Sequence, residues 1–548
     1  MVKNAKPVGL QSPTTRRGWI WFGLIAIVVF SWAMRCHLLD VPLERDEGEY
    51  AYGAQLILEG LLPYQNFYAM KLPGIYAVYA GILSVFGQTQ RGIHLGLLLV
   101  NGATILMMFL LGRRLFDPVT GLMAAACFAV LSVSQSVQGV FANAEHFVIL
   151  AAVAGMVVLL KALEENRSGL FLLSGLLLGI GVIIKQHGIF FVASGVAYLL
   201  FSYLGDRPIL WRSFLLRFGL LILGAALPYA LTCVVFLFAG VFDRFWFWTV
   251  TYALEYSSEI SPRLAWGGFK MNFTDIVASG PFIWAIAGIG LTSLAWQKSA
   301  RDRWKFMTCF LLFSVLAICP GFYFRPHYFV LTLPIIGLLA GLGIFGLHAL
   351  LSNVRIRGLR YAISGLAFVV CIGATLWSES DFLFRMTPAQ ASRATYGLNP
   401  FPESIALGRF IRENTQAQDR IAVFGSEPQL FFYSGRRSAT GHIYMYPLME
   451  GHAFALDMQK QMIKEITQNR PEFLVFVKVP TSWLVRRTSP RLLFEWFQRY
   501  QAEHYSLAGV IELSGLEGVY RWGRDADWPP ATDQWVAVFK RNETMETK

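Results

Sequence analysis

The chain has little charge and little cysteine. Only 15% of its 548 residues are Asp, Glu, Lys or Arg, while 55% are hydrophobic, and the mean hydropathy is +0.47. A water-soluble domain needs more charge than this to cover its surface, so a soluble globular class is excluded for most of the chain. The six cysteines, Cys36, Cys127, Cys233, Cys309, Cys319 and Cys371, lie in or near apolar stretches at spacings that match no metal site, and they read as inert apolar residues. None follows Cys371, so no disulfide staples the C-terminal third. There is no internal repeat, no low-complexity tract and no glycine-rich phosphate loop.

What is present is a series of long apolar runs. The first, about Trp19 to Met34, follows a basic leader with Lys3, Lys6, Arg16 and Arg17, and lacks a small-residue cleavage site after it. It is expected to be an uncleaved helix with a cytoplasmic N-terminus. Others begin near Ile93, Gly121, Phe147, Leu170, Ile189, Phe214, Ile276, Phe306, Tyr328 and Tyr361, giving about eleven spans. Every loop that this count places inside is basic: Arg113 and Arg114; Lys161 and Arg167; Arg207, Arg212 and Arg217; Lys298, Arg301, Arg303 and Lys305; Arg355, Arg357 and Arg360. That pattern follows the preference of Lys and Arg for cytoplasmic loops. It also accounts for the net charge of +12 without a nucleic-acid partner.

After Trp377 the pattern changes to short apolar runs with frequent charge. Pro402 to Asn414 reads as an amphipathic helix, Arg420 to Phe424 as a buried strand and Pro471 to Val477 as another. The expected fold is therefore a polytopic α-helical membrane domain over 1–377 and a soluble α/β domain over 378–548, the latter on the outer, periplasmic or extracytoplasmic, side by parity.

The loop between the first two runs, about residues 36–91, is too long for a plain turn. It opens with Glu44-Arg45-Asp46-Glu47-Gly48-Glu49-Tyr50 and continues to Lys71-Leu72-Pro73-Gly74. Asp46 to Glu59 can form an interfacial helix with Asp46, Glu49, Tyr50 and Gly53 on one face. Asp46-Glu47-Gly48-Glu49 also has the form of a capping box, with Asp46 as cap. Ile75 to Phe86 is too short to span, and Tyr64, Phe67, Tyr68, Tyr76 and Tyr79 suit an interfacial belt. A carboxylate cluster is costly at a membrane surface, and Glu145 supplies a second acid at the outer mouth of a later span. Two carboxylates and a cation on one face suit proton removal from a hydroxyl or amine with departure of a phosphate. Lys185-Gln186-His187 and Arg325-Pro326-His327-Tyr328 are further polar turns on the same expected side. The aromatic segment Val241 to Asp275 is a candidate cover for a lipid-linked substrate.

An acidic pair after the first span, a Lys-Pro element in the same loop, Ala144-Glu145 at the start of a later span and an outer C-terminal domain together resemble the GT-C glycosyltransferases. Within them the chain is most similar to glycosyltransferase family 39, over approximately Gly18 to Trp377. The resemblance implies a polyprenyl-phosphate sugar donor, inversion at the sugar carbon, and a glycan, lipid or protein acceptor at the outer face of the cytoplasmic membrane. Asp46 is then the general base, Glu47 its supporting carboxylate and Lys71 a clamp on the donor phosphate, with Glu145 orienting acceptor or base. Tyr50, Lys185, His187, Arg325 and His327 are candidate donor contacts. The chain departs from the family pattern in Leu72-Pro73, where Lys-Pro-Pro is common, and in Glu49, where some relatives are basic. Glu49 calls for a compensating cation, with Arg325, Lys185, Arg263 and Lys270 as candidates. No cofactor is required; a divalent cation bridging Asp46, Glu145 and the phosphate is left open, with no ligand spacing to argue for it. The alternative from another class is a transporter or flippase of lipid-linked sugars.

Overall fold

The structure, a computed structural model, describes residues 15–204, 211–257 and 260–542; Lys3, Lys6 and Arg207 lie outside the described residues. Among those described, seven helices are long and apolar enough to cross a membrane: Gly18–Cys36, Gln90–Leu115, Ala144–Glu165, Gln186–Leu204, Trp211–Phe238, Pro326–Leu350 and Arg357–Ser378. At 1.5 Å per residue, the shortest of these reaches about 28 Å, close to the thickness of a hydrocarbon core. The protein is a multi-pass membrane protein. Three further expected spans fall on shorter apolar helices, Pro118–Leu131, Ser168–Ile184 and Trp304–Ala317. The span expected near Ile276 is a pair, Pro262–Ser279 and Pro281–Trp296, bent by 99°. The cause is local: Gly280-Pro281 interrupts the run, because proline lacks the N–H that would continue the first helix.

The chain divides into two compact units. One holds the described residues to His37 with Leu95–Val235 and Ile260–Arg385; the other holds Leu38–His94, Phe236–Glu259 and the chain from Met386.

In the first unit Pro326–Leu350 is the central helix, 89% buried against 17% for Trp211–Phe238 and for Arg357–Ser378. It packs backbone to backbone on Pro281–Trp296: a Cβ on Gly343 would lie 2.0 Å from the Ile286 carbonyl oxygen, and one on Gly290 would lie 1.9 Å from that of Leu339. Small residues allow this approach where apolar burial alone gives helices in lipid little reason to pair. The irregular segment ahead of Ala144–Glu165 is fastened by buried charge. Arg35 donates to the carbonyls of Gly139 and Ser132, and Glu379 accepts from the Ser134 hydroxyl and the Gln135 N–H.

In the second unit the C-terminal part forms one six-stranded sheet. Its strands are β1 (Arg420–Phe424), β2 (Arg437–Ser438), β3 (Phe473–Lys478), β4 (Tyr505–Glu512), β5 (Val519–Trp522) and β6 (Trp535–Arg541), in the order β2-β1-β3-β6-β4-β5. β1 pairs in parallel with β2 and β3, and the remaining pairings are antiparallel. The amphipathic helix is present as Phe401–Glu413.

The loop after the first span is part of this unit. Its Arg45–Leu58 helix sits so close to the segment following β1 that a Cβ on Gly48 would lie 2.5 Å from the Gln429 backbone nitrogen. Arg45 pairs with Glu427 at 2.7 Å, and the hydroxyls of Tyr433 and Tyr52 accept from the Leu43 and Ser438 N–H groups. The apolar helix that follows is Gly74–Phe86, 13 residues long.

Candidate active site

The start of the Arg45–Leu58 helix is set by Glu44, not by Asp46. Glu44 has extended backbone and accepts from the Glu47 N–H at 3.0 Å, while Glu47 reaches back to the Glu44 N–H at 3.1 Å. The expected cap therefore lies two residues too late, and Asp46, in the first turn, uses its side chain elsewhere. Glu47 is committed to the cap and to His94, whose Nε2 lies 3.0 Å from its other oxygen and whose Nδ1 faces the Leu39 carbonyl at 2.8 Å.

Asp46 and Glu49, three residues apart on one helix face, share Lys71. The Lys71 ammonium donates to Asp46 Oδ1 at 2.8 Å and to Glu49 Oε2 at 2.7 Å. It also lies 4.6 Å from the centre of the Tyr50 ring and 5.4 Å from that of Tyr444, within range of a cation–π attraction. Lys71 is held by its own backbone too, since its carbonyl accepts from the Tyr64 hydroxyl at 2.7 Å. Each carboxylate has a second donor in a tyrosine: Tyr76 donates to Glu49, and Tyr444 to Asp46 Oδ1 at 3.0 Å. The two acids differ in access. The Glu49 side chain is 3% exposed, while those of Asp46 and Lys71 are 13% and 18% exposed.

The electrostatics follow from this packing. Burial pushes the Glu49 carboxyl above its usual range, with Lys71 working against the shift. Burial also opposes the Lys71 charge, but Asp46 and Glu49 outweigh it and hold the ammonium well above its ordinary range. Glu44 is raised well above the normal carboxyl value by burial and by the neighbouring Asp46 and Glu47. The constellation thus carries more carboxylate than cation, with one acid sealed and one accessible.

The other predicted residues form a separate constellation in the first unit. Glu145, in the first turn of Ala144–Glu165, is wholly buried and is ion-paired with Lys185, which stands in extended backbone between Ser168–Ile184 and the turn Gln186–Gly188. His327 Nε2 lies 3.9 Å from the same Glu145 oxygen, and its Nδ1 faces Gln138 Oε1 at 2.8 Å. The Tyr328 ring gathers the group, with the Lys185 ammonium 4.4 Å from its centre and the rings of His187 and His327 each 4.9 Å away. His187 Nδ1 bonds the Ala317 carbonyl at 2.8 Å. Arg325 is placed with its guanidinium over Tyr323. Of the other cations considered as compensation for Glu49, Arg263 and Lys270 are exposed. Tyr444, Tyr76, Gln138 and Tyr328 are site residues that the sequence does not mark as such. Tyr76 and Tyr328 lie within the aromatic loop and the Arg325-Pro326-His327-Tyr328 turn, whereas Tyr444 and Gln138 have no local signal. Among the described residues no group of three or more His, Cys, Asp or Glu side chains has the arrangement of a metal site.

Residues 71–236 match the profile of a family described as dolichyl-phosphate-mannose-protein mannosyltransferase. An undecaprenyl phosphate-alpha-4-amino-4-deoxy-L-arabinose arabinosyl transferase of Pseudomonas aeruginosa is 28% identical over 243 residues, which is 42% of each chain. The chain thus matches well under half the length of that relative. Among solved structures, ArnT from Cupriavidus metallidurans bound to undecaprenyl phosphate superposes with a TM-score of 0.59 at 15% identity, covering 95% of this chain and 98% of that one. The archaeal oligosaccharyltransferase AglB of Archaeoglobus fulgidus, in complex with an inhibitory peptide and a dolichol-phosphate, gives 0.56 at 12% identity, covering 95% and 76%. The fold is the GT-C fold, and the resemblance to family 39 seen in the sequence is carried by the profile match as well.

Proposed function

We propose that this GT-C-fold chain is an inverting glycosyltransferase that moves a sugar from a polyprenyl-phosphate carrier, of the undecaprenyl type, to an acceptor hydroxyl at the outer face of the cytoplasmic membrane. The acceptor belongs to lipid A or core glycan, a surface polysaccharide or a protein. The observation that carries this reading is the Lys71 ammonium shared by Asp46 and Glu49 in a buried, tyrosine-lined site.

In this reaction Asp46 takes the proton of the acceptor hydroxyl as that oxygen forms its bond to the sugar carbon. The bond from the same carbon to the phosphate oxygen breaks on the opposite side, and the polyprenyl phosphate departs with the electron pair. Lys71 offsets the charge that develops on the departing phosphate, worth more in a partly buried site than in water. Glu47 fixes the helix that carries Asp46. Tyr50, beside Lys71, is a donor contact; in the first unit Glu145 holds Lys185, and Lys185, His187, Arg325 and His327 are proposed as anion-holding residues. The chemistry calls for no cofactor; titration with a chelator and then a divalent cation tests that point.

The transporter reading asks for ionisable residues near span midplanes. Asp46 and Lys71 lie on the loop after the first span, Glu145 is in the first turn of its helix, Lys185 lies between helices and His327 opens another. That placement favours the transferase. The test is mass spectrometry of lipid A, core glycan, surface polysaccharide and envelope proteins from cells with the intact gene, a deletion and Asp46→Asn at matched expression. Loss of one sugar in both defective strains is expected; loss in the deletion alone would sink the assignment of Asp46 as base.

A further inference from the structure

A soluble domain appended to a membrane-embedded transferase is expected to act in acceptor choice or assembly, ahead of any role in chemistry. The contacts at Asp46 point elsewhere. Tyr444 lies in the segment between β2 and β3, 398 residues from Asp46, and its single hydroxyl proton is shared between Asp46 Oδ1 and the Arg45 carbonyl oxygen, each at 3.0 Å. Its backbone is pinned on the far side by the Met445 N–H, which donates to the buried Ser426 hydroxyl at 2.9 Å. Ser426 in turn accepts Arg45 through its carbonyl. Tyr444 and the first turn of the Arg45–Leu58 helix are therefore locked to one another through three connections.

The chemistry of the site makes that lock necessary. Lys71 has three N–H donors and now spends two on carboxylates. An anionic donor competes for the same ammonium: one bond can use its third N–H, while a second bond and the pull of the anion's charge loosen its hold on Asp46 or Glu49. Glu49 keeps the Tyr76 hydroxyl in that event. Asp46 keeps the Tyr444 hydroxyl. Burial and the nearby Asp46, Glu49 and Glu44 charges keep the Tyr444 hydroxyl in its protonated form, so it remains a donor.

We infer that Tyr444 is a positioning residue for the Asp46 carboxylate: its hydroxyl fixes the orientation of that group while Lys71 engages the donor phosphate, so the C-terminal domain completes the reacting site. This rests on the reading of Asp46 as base and Lys71 as phosphate clamp.

The test uses the full-length protein with Tyr444→Phe, which removes one oxygen and keeps the ring beside Lys71. Two quantities are read: the initial rate of the envelope modification that the deletion strain lacks, and the affinity of the purified protein for undecaprenyl phosphate. The expected result is a rate at least tenfold lower with affinity within twofold of wild type, partial recovery in Tyr444→His, which restores an N–H donor on a ring, and no further loss when Tyr444→Phe is added to Asp46→Asn. Full rate in Tyr444→Phe would overturn the inference. So would loss of rate and affinity together with no recovery in Tyr444→His, since that marks a merely structural residue. The base assignment is judged separately by Asp46→Asn alone: if that variant keeps its rate, the functional reading falls, whereas an inactive Asp46→Asn beside a fully active Tyr444→Phe removes only the role of Tyr444.

Discussion

Two lysine–carboxylate constellations in this protein are built from similar parts and balanced in opposite ways. In the first, one ammonium serves two carboxylates, and Asp46 stays partly exposed while Glu49 is sealed. In the second, one wholly buried carboxylate, Glu145, faces a lysine and a histidine. Both set the ammonium against a tyrosine ring. Excess carboxylate with one partly exposed acid suits removal of a proton, whereas excess donor around a sealed carboxylate suits holding an anion. The contrast teaches that charge count and access, rather than residue type, assign the roles.

The sharpest way to break the comparison is to neutralise the accessible acid. Asp46→Asn keeps size and one acceptor oxygen, and turnover is expected to fall by roughly 10²- to 10⁴-fold, the range typical of losing a positioned general base. Rate measurement on protein that still binds undecaprenyl phosphate checks this. Next in size is Glu145→Ala, which leaves the largely enclosed Lys185 ammonium without its carboxylate and is expected to cost about 3 kcal/mol of stability, read by denaturation of the detergent-solubilised protein. Glu145→Gln, which keeps an acceptor for the ammonium, is expected to cost less. A penalty of equal size in both would show that the charge of Glu145 is what matters.

The smallest effect concerns Glu44. Its carboxyl is raised by burial and by the charges of Asp46 and Glu47. A raised acid stabilises the fold most below its unfolded value, near 4.5, and loses that contribution as pH rises through the folded value. Glu44→Gln keeps an oxygen for the cap and removes the titration, so its melting temperature relative to wild type should rise from acidic to neutral pH. A difference that does not change with pH would contradict the shift.

Much of this architecture is legible in the chain. Strand β1 falls on Arg420–Phe424 as read, the amphipathic helix is displaced by one residue at each end, and the short helix after Pro73 begins one residue before Ile75. These elements are governed by local periodicity and by glycine and proline, which a sequence displays directly. Asp46, Glu49 and Tyr50 share a face because helical spacing demands it. Sequence pattern favours Asp46 as the cap because aspartate is the commoner cap and glutamate a poor one, yet Glu44-x-x-Glu47 has the same reciprocal spacing as Asp46-x-x-Glu49. The break at Gly280-Pro281 is visible as a dipeptide, but it sits within a continuous apolar run that masks it. Tyr444 and Gln138 belong to another order of information: they meet their partners across 398 and 189 residues, through packing that no local pattern encodes.

The most direct measurement is the affinity of the purified full-length protein for undecaprenyl phosphate in wild type, Asp46→Asn and Lys71→Ala, each paired with its transfer rate. Removing the Asp46 charge frees Lys71 from one competitor, so Asp46→Asn should bind at least as tightly as wild type while transferring little sugar. Lys71→Ala should lose affinity by tenfold or more, as expected for a charge-assisted contact worth at least about 1.4 kcal/mol. Normal transfer by Asp46→Asn, or unchanged affinity in Lys71→Ala, would contradict the division of labour between the two residues.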